Sequence, residues 1–141
     1  MNALIELPAV PTREQIERLE NEMRKAPPIE IRTTHYFAQG LYAREIFIPK
    51  GCLLTGKVHR AEHLNIVSLG DITVWTEQGM KRVTAPFTMV SKPGTKRVGL
   101  AHEDTIWTTV HAAIETNIEL LEQLLVEPDR PLIEETLACL S

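Results

Sequence analysis

Three textures of hydrophobic and polar positions follow one another along the chain. Between Thr12 and Lys25 apolar residues recur only at Ile16, Leu19 and Met23, the spacing of one narrow helical face. Thr12 followed by Gln15 makes a capping box, and Pro27-Pro28 bars continuation. So thin a stripe suits a helix lying on a barrel or across a dimer partner, not one buried in a core. From Ile29 to Ala113 short runs rich in Val, Ile, Thr and aromatics take over: Gly40–Ile48, Cys52–His59, Leu64–Leu69, Ile72–Thr76, Met80–Val83, Phe87–Ser91, Lys96–Ala101 and Thr105–His111. Turn signals separate them at Pro49-Lys50-Gly51, Gly70-Asp71, Glu77-Gln78-Gly79, Ala85-Pro86 and Pro93-Gly94. With no helical stretch between strands, this predicts an antiparallel barrel or sandwich. From Thr116 the period is helical again. Thr116 with Glu119 reads as a second capping box ahead of Ile118, Leu121 and Leu125, and Pro128 stops that helix. Asp129, with Pro131 in the first turn, predicts a last short helix. The expected organisation is one folded domain: a helical arm over 1–28, a β region over 29–113 and a helical tail over 114–141.

Composition narrows the class. The 141 residues are 43% apolar and 24% charged, ordinary for a globular chain. A net charge of -4 without any block of like charges argues against a nucleic-acid surface. No segment approaches the ~18 uninterrupted apolar residues of a membrane span, and Met1 to Val10 carry no basic leader pattern. The two cysteines, Cys52 and Cys139, suggest neither a disulfide framework nor a metal knuckle, so a reducing, cytoplasmic setting is expected.

The segment with chemical content runs from Gly51 through Lys57, His59 and His63 to Gly70-Asp71. It resembles the first motif of the cupin superfamily, in which glycines bracket two histidines one residue apart and a following glutamate. Gly51 and Gly70 match the glycines, and Lys57 stands at the first histidine position. His59 matches the second histidine, and His63 takes the glutamate position. In the second motif, Pro93-Gly94 supplies the turn and Arg97 occupies the histidine position. The resemblance covers roughly residues 40 to 112. It implies a mainly β fold: a single RmlC-like antiparallel barrel or jelly roll, flanked by an N-terminal helix and two short C-terminal helices. A homodimer is the implied assembly. Pro93-Gly94-Thr95-Lys96-Arg97 and His102-Glu103-Asp104-Thr105-Ile106-Trp107 also resemble small cupin-like proteins of tailed phages and prophages, which would place the chain in a host cytosol.

Residues two apart on a strand share a face. Lys57 and His59 therefore point together, inward on the implied geometry, with His63 across a turn and Arg97 from the other sheet. Two permanent cations beside two imidazoles suit a small anionic ligand, because arginine offers a fork and lysine a point charge. Neighbouring positive charge should keep both imidazoles neutral and able to act as general bases. Tyr42 is a candidate proton donor opposite them. The strand before the motif leaves its parity open: one choice sends Tyr42 and Arg44 inward, the other Glu45. Trp107 and His111 would form the pocket floor if their face is inward. Catalytic candidates are thus His59, His63 and Tyr42; substrate-binding candidates are Lys57, Arg97, Glu45, Trp107 and His111.

A divalent transition metal on His59 and His63 competes with this reading. It needs a third ligand from among Glu45, Glu62, His102 and His111, and spacing selects none. Blander alternatives also stand: a helical His-x-x-x-His pair, structural imidazoles, or Lys57 and Arg97 reaching out to the rim. The expected function is a small-molecule-binding protein with a cationic pocket and no required cofactor, working as a metal-independent lyase, epimerase or isomerase. The alternatives are a metal-dependent enzyme with altered ligands and a non-catalytic phage-encoded binding or assembly module. A partner membrane or nucleic acid is not expected.

Overall fold

The computed structural model describes residues 7–27 and 29–126, together with the backbone of 136–139. An N-terminal helix, α1 (Arg13–Met23), precedes nine strands: β1 (Arg32–Ala38), β2 (Leu41–Ile48), β3 (Cys52–Thr55), β4 (His63–Leu69), β5 (Asp71–Thr76), β6 (Gly79–Thr84), β7 (Phe87–Ser91), β8 (Val98–Ala101) and β9 (Thr105–Ala112). A second helix, α2 (Ile118–Leu125), and a last strand, β10 (Thr136–Cys139), follow. Hydrogen bonding divides the strands into two five-stranded antiparallel sheets, ordered β1-β2-β9-β4-β7 and β10-β3-β8-β5-β6. The mainly β, jelly-roll-like architecture agrees with the sequence pattern.

Alternation along each strand decides what lies between the sheets. Ile46, Ile48, Val67, Ile72, Val74, Val83 and Ala101 meet there with Cys52 in one buried cluster. The opposite parity of the second sheet is also apolar: Leu53, Trp75 and Val98 face outward and are covered by Ile16, Leu19 and Met23 of α1. The thin stripe of α1 thus lies on its own sheet. The expected Thr12–Gln15 capping box is present. Glu20, on the same helix face and 1% exposed, accepts from Thr55 Oγ1 at 2.7 Å and pairs with Lys96 Nζ at 3.2 Å. A buried carboxylate with these partners fixes where α1 sits.

Gly70, at the turn joining β4 to β5, has φ +106, and a Cβ there would lie 2.4 Å from Thr105 Oγ1 and 2.5 Å from the Asp104 carbonyl oxygen. Both the backbone conformation and the close approach require glycine. This tight corner sends the chain from one sheet to the other.

Five expectations need correction. The cap of α2 is Asn117, whose side chain accepts from the Leu120 amide, and not Thr116. The expected strand 52–59 stops at Thr55, and the expected strand 96–101 begins at Val98. Lys57 and His59 therefore sit in irregular chain, where strand alternation does not set their direction. The tail is not wholly helical, since Thr136–Cys139 pairs antiparallel with β3. The last helix predicted from Asp129 and Pro131 lies outside the described residues. The cysteine reading also changes: Cys52 is disulfide-bonded, in a chain with two cysteines whose register sets Cys139 opposite Cys52. Among the described residues, no helix is long and apolar enough to cross a membrane.

Candidate metal centre and pocket

Register lines up the inward residues of the first sheet in rows. Tyr42 pairs with His111, Arg44 with Thr109, Ile46 with Trp107 and Ile48 with Thr105. On the other side of β9, Asn65 pairs with Thr109 and Val67 with Trp107. Beyond β4, His63 pairs with Ser91, Asn65 with Met89 and Val67 with Phe87. One end of the interior is therefore polar, with Tyr42, His111, His63 and Ser91 in its first row and Arg44, Thr109 and Asn65 in its second. The other end is Ile46, Ile48, Val67 and Trp107.

Three imidazoles close the polar end. The rings of His59 and His63 are 4.2 Å apart between centroids, those of His59 and His111 4.9 Å, and those of His63 and His111 4.7 Å. One ring nitrogen from each lies within 4.8 Å of the other two. His63 starts β4 and His111 nearly ends β9, so the sheet fixes both. His59 is held by a bridge to Val126, with Arg60 N donating to the Leu125 carbonyl at 2.8 Å. His63 Nδ1 lies 3.0 Å from the Ala61 carbonyl; donating there leaves Nε2 as the free lone pair. His59 Nδ1 and His111 Nδ1 are buried without a hydrogen-bond partner.

Burial keeps these rings neutral. His59 is pushed down to about 3, first by loss of solvent and then by His63, His111, Arg44 and Arg97. Burial and then His63 lower His111 to about 4. His63 is lowered mainly by burial, with the Ala61 hydrogen bond opposing and Arg97 assisting. The expected direction is present, but desolvation outranks neighbouring cations as its cause.

The surrounding pocket has a volume of about 120 Å³ and brings together most of the residues expected from the sequence: Tyr42, Lys57, His59, His63, Arg97, Trp107 and His111. Lys57 is tied at 3.6 Å to Glu122 of α2, the helix that covers the mouth with Leu121 and Leu125. The parity of β2 sends Tyr42 and Arg44 inward and Glu45 to the outer face, so Glu45 leaves the pocket set. Glu62 is exposed, and His102 bonds Thr73 at 2.6 Å away from the cluster. Of the four candidate third ligands, His111 joins the two histidines. Tyr42, 4% exposed, has its hydroxyl 2.7 Å from His35 Nδ1.

Asn65 and Ser91 were not anticipated from the sequence. Asn65 bonds Ser91 and accepts from Trp107 Nε1 at 2.9 Å, and Arg97 reaches Ser91 from the residue just before β8. The signal for Asn65 was its position two residues after His63, on the same face.

No protein-family model and no curated protein sequence matches the chain. Solved structures do. An RmlC-like cupin from Shewanella frigidimarina aligns with a TM-score of 0.52 at 21% identity, over 60% of this chain and 78% of that one. KdgF from a Halomonas species aligns at 0.52 and 16% identity, over 62% and 86% respectively. Ectoine synthase from P. lautus aligns at 0.55 and 12%, over 68% and 75%. At these identities the likeness is one of fold: the chain has the architecture of the cupins.

Proposed function

We propose that this protein is a metal-dependent cupin enzyme in which His59, His63 and His111 hold one divalent transition metal and the pocket takes a small anionic substrate. The carrying observation is the trio of neutral imidazoles, His63 and His111 buried and His59 half-buried, with partnerless buried nitrogens on His59 and His111. Buried polar atoms normally have a partner, and a metal ion would be the partner of both. Three protein ligands with further positions open is the pattern of a catalytic site, not a structural one. Metal–nitrogen bonds of about 2.1 Å require the nitrogens to close to roughly 3 to 3.5 Å, a side-chain adjustment. The hydrogen bond from His63 to Ala61 supplies the outer support such ligands usually have.

A bound divalent ion would act as a Lewis acid toward a carbonyl or a water. The chain's own groups do the remainder. Arg97 already places one permanent cation beside His59 and His63. Adding a metal makes the pocket strongly positive, which an anionic substrate would offset. Tyr42, aligned with His111 and bonded to His35, is the proton donor or acceptor of this reading. Glu122 on Lys57 screens the mouth rather than the centre.

A second reading follows from the same low histidine titration. Without metal, a neutral His63 is the general base of this reading, His59 at about 3 being too weak a base, and lyase, epimerase or isomerase chemistry on an anionic substrate would need no cofactor. Elemental analysis of protein purified without a nickel column separates the two. Near one zinc, iron, manganese or nickel per chain in the parent protein, falling to background in His111→Ala, supports the metal centre. Background metal in the parent even after growth in supplemented medium rejects it in favour of acid–base chemistry.

A further inference from the structure

The hydrogen-bond network beside the histidines carries more donors than acceptors. Trp107 Nε1 donates to Asn65 Oδ1, which Thr109 Oγ1 also approaches at 3.4 Å. Asn65 Nδ2 donates to Ser91 Oγ, and so does Arg97 Nη1. A serine oxygen that accepts twice has spent its lone pairs, and its own proton must go to some further acceptor. Arg97 Nε is buried and has none. The guanidinium's hydrogen-bond partner among the described residues is the neutral Ser91, and Glu77 acts on it only through longer-range charge. Ser91 is 1% exposed and Asn65 3%, so solvent does not readily supply the missing acceptor.

Two spare donors, one of them cationic, thus border a cavity whose other end has no polar group to offer. Ile46, Ile48, Leu54, Ile72 and Val74 line that end. Arg97 is half-buried, and its Nε, cut off from water and without a carboxylate partner, is costly to leave unmet unless a ligand completes it. A planar carboxylate matches both the fork of an arginine and a neighbouring hydroxyl. An inorganic anion would satisfy the donors and leave the apolar floor unfilled.

We infer that the pocket binds a small carboxylic acid with an aliphatic tail. Its carboxylate is held by Arg97 Nε and the Ser91 hydroxyl, and its tail lies on the Ile46, Ile48, Ile72 and Val74 floor. Asn65 and Trp107 are positioning residues: they hold Ser91 Oγ as an acceptor, so that its proton is directed to the ligand. The inference names the substrate class of the site proposed above. It rests on that pocket reading but needs no metal to be tested.

Calorimetric titration of the metal-free protein with sodium butanoate, sodium acetate, butylammonium chloride and sodium phosphate gives the test. Butanoate should bind saturably, about ten-fold tighter than acetate because two more methylenes are buried. Butylammonium should not bind. Arg97→Gln should weaken butanoate at least about ten-fold, the usual worth of a charged hydrogen bond. Arg97→Lys should fall between, keeping charge without the fork, and covers the case that the glutamine variant does not fold. Zinc binding by the folded variants, measured by competition with a chelator, should be retained, and should tighten in Arg97→Gln, which removes a cation beside His59 and His63. Phosphate binding as tightly as butanoate, butylammonium binding equally well, no butanoate binding at tens of millimolar, or indifference to both Arg97 variants would each overturn the inference. Zinc binding is read separately, so loss of the carboxylate site and loss of the metal centre are distinguishable.

Discussion

Strands β2, β4 and β9 change character along their length, and the two ends of the interior they enclose do different work. Toward one end their inward residues are Tyr42, His63 and His111, followed by Arg44, Asn65 and Thr109; toward the other they are Ile46, Ile48, Val67 and Trp107. Both ends belong to the same antiparallel ladders, which run in even register through the polar end and shift register between Val67 and Leu69. The apolar end gains stability by removing side chains from water, with Ile48 and Val67 fully buried. The polar end buries two imidazoles and partly buries a third and a guanidinium at a cost, leaving nitrogens on His59, His111 and Arg97 without partners. A fold tolerates such an end when its other end is well packed and a ligand supplies what is missing. Close apolar packing and unmet polar groups are thus segregated along the strands of one sheet.

Changes at the two ends should therefore separate cleanly. The largest effect is expected from His111→Leu, which makes the polar end resemble the floor. Metal affinity should fall by at least about 100-fold, since even outer-shell changes cost 10- to 100-fold. Chemical denaturation of the metal-free variant at pH 5 should show unchanged or increased stability. A large loss there would mean that His111 serves packing. Ile48→Ala is the mirror experiment. It should cost roughly 2 to 5 kcal/mol in urea unfolding while the folded protein binds metal as before. A parallel loss of metal affinity would break the division.

Acid should act strongly on the polar end. His59 and His111 titrate near 3 and 4 when folded, against 6.5 when unfolded, so between these limits the unfolded chain binds more protons. Stability of the metal-free protein is then fully present above about pH 6.5 and declines as pH falls toward 4. A melting series should show that decline, and replacing His59 by Gln should flatten it. The smallest effect is expected at the mouth. Glu122→Gln removes the ion pair with Lys57, whose carboxylate side is 57% exposed, and should change stability by less than about 1 kcal/mol.

Much of this division could be read from the chain, and the parts that could not have physical reasons. The helix at Thr12, the β region and its turns follow from period and from Gly, Pro and Asp placement, which are local properties. Strand β10 is not local: Thr136–Cys139 becomes a strand by pairing with β3, some eighty residues earlier. His59, His63 and Arg97 stood out through motif spacing, and the structure places them in one pocket. His111 was a candidate whose side was undetermined, because Trp107, Thr109 and His111 alternate with Ile106, Thr108 and Val110 and neither face of β9 is clearly more apolar. Pairing with Tyr42 on an inward parity resolves it. Asn65 and Ser91 were silent, since a polar residue in a strand ordinarily reads as solvent-facing.

The central claim is that the polar end is a metal centre made by three histidines. Titration of the metal-free protein with cobalt(II), followed by visible absorption, tests it most directly. A metal centre of these three ligands should give a ligand-field band that saturates at one equivalent per chain and is lost in His59→Ala, His63→Ala and His111→Ala, each verified as folded. No band, or one that persists in the His111 variant, would contradict it.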